Sequence, residues 1–188
     1  MSRTVKLWPI HLKPRDDELL SSWLVRLARA HGMKVHTFCD VSWPKKQIWN
    51  RDIDRSLDDD ILSVLAKKTG TLPERVSDVT LSAYEGRIFE VNIKGAGIQS
   101  WVMPVGVYHR IRKLYGQQCC PLCLKEDEEP YFRRKWRIAF ITVCERHRCL
   151  LIDKCPQCGY PINFSRSKLD SETITFCVQC KFDIRECP

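Results

Sequence analysis

The segment Cys119–Cys180, CCPLCLKEDEEPYFRRKWRIAFITVCERHRCLLIDKCPQCGYPINFSRSKLDSETITFCVQC, contains the pattern C-P-x-C twice, each copy answered downstream by a second donor pair. Cys120-Pro121-Leu122-Cys123 precedes Cys144-Glu145-Arg146-His147, and Cys155-Pro156-Gln157-Cys158 precedes Cys177-Val178-Gln179-Cys180. Structural zinc takes four Cys or His donors in a tetrahedron, and one tight turn can present two donors that have two residues between them. The spacing predicts two zinc ions per chain. One is held by Cys120, Cys123, Cys144 and His147, the other by Cys155, Cys158, Cys177 and Cys180.

Other uses of these residues fit less well. An odd total of eleven Cys without a secretory segment argues against a disulfide scaffold. A redox dithiol needs one exposed CxxC beside a strand-helix unit, not four spaced pairs. A catalytic Cys144/His147 dyad would leave Cys120 and Cys123 with half a metal site. Of the remaining cysteines, Cys119 lacks the two-residue gap, while Cys149 and Cys39 read as small buried hydrophobes. Cys187, near the end, has no assigned role.

A chain of 188 residues allows one or two domains, with about 70 residues in the cysteine-rich part. A core that small supplies ~3–5 kcal/mol unaided, against roughly 10–16 kcal/mol for a structural zinc site, so metal should decide whether this half folds. Hydrophobic content of 44% and six Trp indicate a globular protein. No apolar run reaches membrane-span length, and Met-Ser-Arg-Thr-Val-Lys lacks a signal-peptide core, which makes the cytoplasm the default. Seven ionised ligand thiolates and two divalent ions bring the formal charge of +8 to +5. Such a balance suits nucleic acid or an acidic protein surface without choosing between them.

Working outward, Tyr131–Phe140 reads as a strand with Arg133, Lys135 and Arg137 on a basic side and Phe132, Trp136, Ile138 and Phe140 on a buried one. The basic side offers a nucleic-acid or partner contact, with plain solvation equally expected. Pro161–Phe164 and Thr173–Phe176 read as a hairpin, Tyr108–Tyr115 as a short helix, and Arg87–Lys94 as a strand before a Gly95-Ala96-Gly97 turn. Toward the N-terminus, Asp16 is a plausible N-cap for a helix with Asp17 and Glu18 in its first turn and Leu20, Trp23, Leu24, Leu27 and Ala28 on one face. The corner Leu27-Ala28-Arg29-Ala30-His31-Gly32 is echoed by Leu65-Ala66-Lys67-Lys68-Thr69-Gly70, each followed by a short stretch of helical character (34–40 and 73–81). Around Trp49, the cations Lys45, Lys46 and Arg51 either contact phosphates or form a solvated face.

The expected architecture is α+β, small and zinc-dependent. An extended arm (1–15) leads to a helical helix-turn-helix domain of about five helices (16–81). A connecting segment (82–110) and two zinc-ribbon modules (111–152 and 153–188) follow. Loss of Cys158 should then unfold the C-terminal half and spare the helix at 17–31.

The first helix, Glu18-Leu19-Leu20-Ser21-Ser22-Trp23-Leu24-Val25-Arg26-Leu27-Ala28, meets the pattern E-x-L-x-S-W-x-x-R-L-A. With the C-P-x-C pairs, Tyr131, Trp136, Cys144-x-x-His147 and Leu150, it resembles the TniQ/TnsD family of transposon target selectors. The resemblance implies a bacterial, non-catalytic protein that marks an insertion site and recruits a AAA+ ATPase regulator of the transposase. In short members the partner at the target is a CRISPR effector complex, with guide RNA within reach, and pairing supplies the specificity. Long members carry further DNA-binding modules and read target DNA directly. A chain ending soon after the second zinc site favours the short kind; a Cys187-Pro188 that opens a further module favours the long one.

Two other function classes fit the sequence less well. A zinc deaminase needs H-x-E before P-C-x-x-C, which no His here provides, and HExxH, phosphate-loop and dinucleotide patterns are absent from the sequence. A stand-alone zinc-ribbon transcription factor needs affinity from this chain alone, and +5 with scattered bases neutralises few phosphates.

Overall fold

A computed structural model describes residues 6–55, 57–92, 97–109, 111–169, 171 and 173–187. At its centre lies helix α1 (Leu20–Ala30). Leu20, Trp23, Leu24, Leu27 and Ala28 are fully buried, as their 3.6-residue spacing predicts. The polar residues between them are buried too, since Ser21 and Ser22 show no exposure and Arg26 only 5%. The helix is therefore enclosed on both faces.

The start of α1 differs from expectation. Asp16 is not its cap, Asp17 adopts φ 55° in a turn, and Glu18 then bridges Arg133, with the Leu19 N–H donating to Phe132 O at 2.8 Å and the Arg134 N–H to Asp17 O at 2.8 Å. Leu19 at the N-cap has no side-chain acceptor to offer. The orphan N–H groups find tertiary acceptors instead: Leu20 donates to Val79 O (2.8 Å) and Ser21 to the Asp54 carboxylate (2.7 Å). Asp54, 33 residues away, thus caps the helix and places a negative charge at its positive end.

Helix α2 (Val35–Ser42) packs on α1, and α3 (Asp59–Thr69), which opens with Asp59 and Asp60, packs on α4 (Pro73–Ser77). Both α1 and α3 end on a left-handed glycine, Gly32 (φ 67°) and Gly70 (φ 62°). In both, the next N–H reaches back five residues to an alanine carbonyl, Met33 to Ala28 (2.9 Å) and Thr71 to Ala66 (3.0 Å). The sequence echo thus corresponds to one repeated corner. Among the described residues of 16–81 there are four α-helices and a short 3-10 turn (48–50) where about five helices were expected. The corner is a packing solution and by itself assigns no nucleic-acid contact.

Elsewhere backbone pairing replaces the expected elements. Residues 86–88 form a turn rather than a strand, with the Gly86 N–H bonded to Phe89 O at 2.8 Å; Gly95 and Ala96 lie outside the described residues. The described residues of 108–115 hold no helix but part of a hairpin of two-residue strands, β1 (Val107–Tyr108) and β2 (Ile111–Arg112), in the register Val107↔Arg112. Residues 134–137 are a 3-10 turn, not part of a strand. The expected hairpin after the second C-P-x-C is absent as well: 164–166 is a 3-10 turn and the pairing sits at Lys154↔Pro161 and Phe176↔Asp183. A short helix, α5 (Pro121–Glu126), carries the first cysteine pair.

One core joins these parts. Phe132 stacks on Phe164 at 4.0 Å, and the cluster runs from Leu19 and Trp23 through Phe132 and Trp136 to Ile162, Ile174 and Ile184. Residue 8 of the arm is part of it: Trp8 meets Phe38 and Trp43 edge-on at 5.0 and 5.9 Å. Among the described residues no helix is long and apolar enough to cross a membrane.

Candidate metal centres and their anchorage

The eight expected ligands come together in two separate groups, Cys120/Cys123/Cys144/His147 and Cys155/Cys158/Cys177/Cys180, each with all donor atoms within 4.8 Å of one another. A tetrahedral ion bonded at about 2.3 Å to sulfur and about 2.0 Å to nitrogen sets S···S near 3.8 Å and S···N near 3.5 Å. In the first centre Cys123 and Cys144 Sγ lie 3.6 Å apart, and His147 Nδ1 lies 3.4, 3.3 and 3.5 Å from Cys120, Cys123 and Cys144. In the second, Cys155–Cys180 and Cys158–Cys177 span 3.5 and 3.6 Å. Both groups fit a tetrahedral metal ion and are consistent with two zinc sites.

Local sequence explains how the donors are aimed. Cys120 is the N-cap of α5, its sulfur accepting the Cys123 N–H at 3.4 Å with Pro121 at the first helical position, so both sulfurs sit at the positive end of the helix. The other three pairs lie on one repeated knuckle. Its first N–H bonds the carbonyl five residues on: Cys144 to Cys149 (2.8 Å), Cys155 to Tyr160 (2.8 Å) and Cys177 to Phe182 (2.8 Å). Its fifth residue is left-handed: Arg148 (φ 53°), Gly159 (φ 72°) and Lys181 (φ 68°). Its base is a single β-bridge, Val143↔Leu150, Lys154↔Pro161 or Phe176↔Asp183. The first centre therefore combines a helix N-terminus with a knuckle, and the second pairs two knuckles.

Several thiols are tuned by these surroundings. Burial raises Cys144, but the His147 bonds and the neighbouring thiols outweigh it and bring it down to about 7. The Phe182 N–H and the neighbouring thiols bring Cys180 down to about 7 as well, despite some desolvation. Cys119, with no exposure, is pushed up by burial, and its backbone pairs with Ile152 at 2.9 Å in both directions. Cys39 is raised to about 12 by burial and takes the Trp49 indole N–H at 3.3 Å, so Trp49 closes a core edge and is not free to stack. Glu126, which sequence spacing did not single out, lies 3.0 Å from His147 Nε2 on the side away from the sulfurs, where a carboxylate orients a ligating imidazole.

The basic residues are placed otherwise than expected. Arg137 has no exposed surface and is locked between Asp52 (2.5 Å) and Asp54 (3.2 Å), with its Nη2 also donating to Met103 O at 2.9 Å. Arg133 is 9% exposed, pairs with Asp127 at 2.7 Å and stacks over Tyr131 and Trp136. Lys135 contacts Glu145 beside the first centre. The single basic face proposed for 131–140 does not exist, because the 3-10 turn sends these three side chains to different carboxylates. Of the other three, Lys45 and Arg51 are exposed, while exposed Lys46 bridges Asp58 and Asp60 at 3.1 Å each.

The residues of E-x-L-x-S-W-x-x-R-L-A hold α1 to the first centre. Glu18, 1% exposed, accepts from the Arg15 N–H (2.9 Å), Ser22 Oγ (3.0 Å) and Arg26 (2.7 Å). Arg26 continues to Glu129 at 2.5 Å, and the Ser22 hydroxyl accepts the Phe132 N–H at 2.9 Å. Glu129 and Phe132 lie on the chain between the two ligand pairs of that centre. A second clamp runs through Asp54, which takes Ser21 Oγ (2.8 Å), Arg137 (3.2 Å) and Arg112 (3.2 Å). Sequence reasoning gave no sign of Asp54 and set Arg112 on a helix beside the first knuckle, whereas it is buried against Asp54, a partner remote along the chain.

No curated protein gives a significant match to the chain. The TniQ family pattern matches residues 9–151, from the arm through both ligand pairs of the first centre and both carboxylate clamps, so the chain belongs to the TniQ family of non-catalytic, transposition-associated target-selection proteins.

Proposed function

We propose that this protein is a rigid adaptor in transposition, carrying two zinc ions and linking a target-recognition complex to a AAA+ ATPase regulator of the transposase. The observation that carries this reading is the double clamp, in which the family's most recognisable residues face inward and weld the helices to the first metal centre. A protein that must transmit a position between two partners needs such a fixed geometry. Both four-donor groups are filled by the chain itself, which leaves no open coordination position for substrate and supports a structural role for zinc.

The recognition complex is a CRISPR effector in this reading, with target DNA or guide RNA reached by exposed cations. Among the candidates, the exposure of Lys45 and Arg51 supports giving them this role. The experiment is capture of a AAA+ regulator by the full chain in the presence of ATP and DNA. Capture that weakens for Lys45→Glu/Arg51→Glu, with the fold intact, supports the adaptor. A tight, sequence-specific footprint by the chain alone, without partners, contradicts it and makes the protein a direct DNA reader.

A further inference from the structure

The three knuckles are superimposable in their hydrogen bonding, which makes their differences informative. The residue whose carbonyl closes each knuckle is Tyr160 in one, Phe182 in another and Cys149 in the first centre. Where the second centre has two rings, the first has a thiol. Cys149 Sγ lies 3.5 Å from Cys120 Sγ, as close as Cys155 and Cys180, which are ligands of one ion. It is only half-buried, whereas Cys120 is buried. The carbonyl bond that places it, Cys149 O to the Cys144 N–H at 2.8 Å, belongs to the same loop that aims Cys144 and His147.

A fifth sulfur therefore stands beside a site that needs four, in contact with Cys120 but outside the four donors that lie within 4.8 Å of one another. Cys120 Sγ lies 3.4 Å from His147 Nδ1 and 3.5 Å from Cys149 Sγ. We propose that Cys149 is a reserve ligand of the first centre, able to take the coordination position of His147 and convert a three-sulfur, one-nitrogen site into a four-sulfur site. In the exchange the His147 Nδ1–metal bond breaks, a Cys149 sulfur–metal bond forms, and the thiol proton is lost to water. No oxidation state changes. The consequence is a centre that keeps its ion, and with it the anchorage of α1, when the exposed end of the knuckle is disturbed.

This rests on the first group holding metal, and the test separates the two claims. Full-length wild type, His147→Ala, Cys149→Ser and the double variant are loaded with zinc for stoichiometry, then with cobalt to read the thiolate-to-metal charge-transfer band, which grows with the number of thiolates. Wild type and Cys149→Ser should each bind two ions. His147→Ala should also bind two, with a band about one-seventh stronger than wild type as seven thiolate ligands become eight. The double variant should bind one. Failure of wild type to bind two ions overturns the reading of the centres themselves. With wild type at two, loss of an ion in His147→Ala, or a band no stronger than wild type, overturns the reserve ligand alone. Equal zinc content in His147→Ala and the double variant does the same. Should the double variant not fold, the band of His147→Ala decides by itself.

Discussion

Arg137 shows how far a side chain can be from where its sequence places it. It sits among Arg133, Arg134 and Lys135 in a run that looks like a basic surface, yet it has no exposure and is held between Asp52 and Asp54. Removing one partner of a buried ion pair leaves the other uncompensated, so Arg137→Ala should cost ~3–5 kcal/mol in denaturant unfolding, while Lys135→Ala should stay within about 0.5 kcal/mol. Arg137→Lys should not rescue, because a compact ammonium lacks the planar fork whose two Nη atoms reach Asp52, Asp54 and Met103 O. Glu129 supplies a pH signature. Burial raises its carboxyl, but the Arg26 and Arg15 guanidiniums more than offset this and hold it below the usual carboxylate range. A folded value below the unfolded one means stability that is present above about 4.5 and lost as pH falls through the folded value. The stability gap between wild type and Glu129→Gln should therefore close on acidification in paired denaturation series; a gap that widens would contradict the clamp.

At the scale of elements, what sequence shows is what repeats locally. The ligand pairs, the Ala-to-Gly corners after α1 and α3, and the acidic start of α3 all depend on residues within one turn of each other, and each is where the spacing put it. The elements that differ are those whose hydrogen bonds leave the segment. Residues 17–19 pair with 132–134 instead of starting a helix, and 134–137 wind into a 3-10 turn because Arg133, Lys135 and Arg137 answer carboxylates in three places. The knuckles also differ in cover. Cys158 is exposed and Cys180 half-buried, whereas Cys120, Cys123 and Cys144 are buried. Chelator should accordingly strip metal in two phases, the second centre first, as read by a chromophoric zinc indicator; Cys158→Ser should abolish the fast phase and leave the slow one.

The whole molecule is less divisible than its sequence suggests. A helical half and a zinc half were expected to unfold separately, with the helix at 17–31 indifferent to the metal. Instead Leu19, Phe132 and Phe164 belong to one core, the Arg29 guanidinium reaches Lys168 O at 2.9 Å, and the two carboxylate clamps cross from α1 to the first centre. None of this could be read from spacing, because the clamps link residues far apart in the chain, 33 positions for Ser21–Asp54 and 103 for Arg26–Glu129. The residues of E-x-L-x-S-W-x-x-R-L-A, in turn, are buried in this weld. The most direct test is hydrogen exchange along the full chain of Cys123→Ser, which removes a ligand of the first centre and leaves the sequence of α1 unchanged. The clamps predict that amide protection in Leu20–Ala30 falls together with that of residues 119–150. A helix that keeps its wild-type protection while the first centre opens would contradict them.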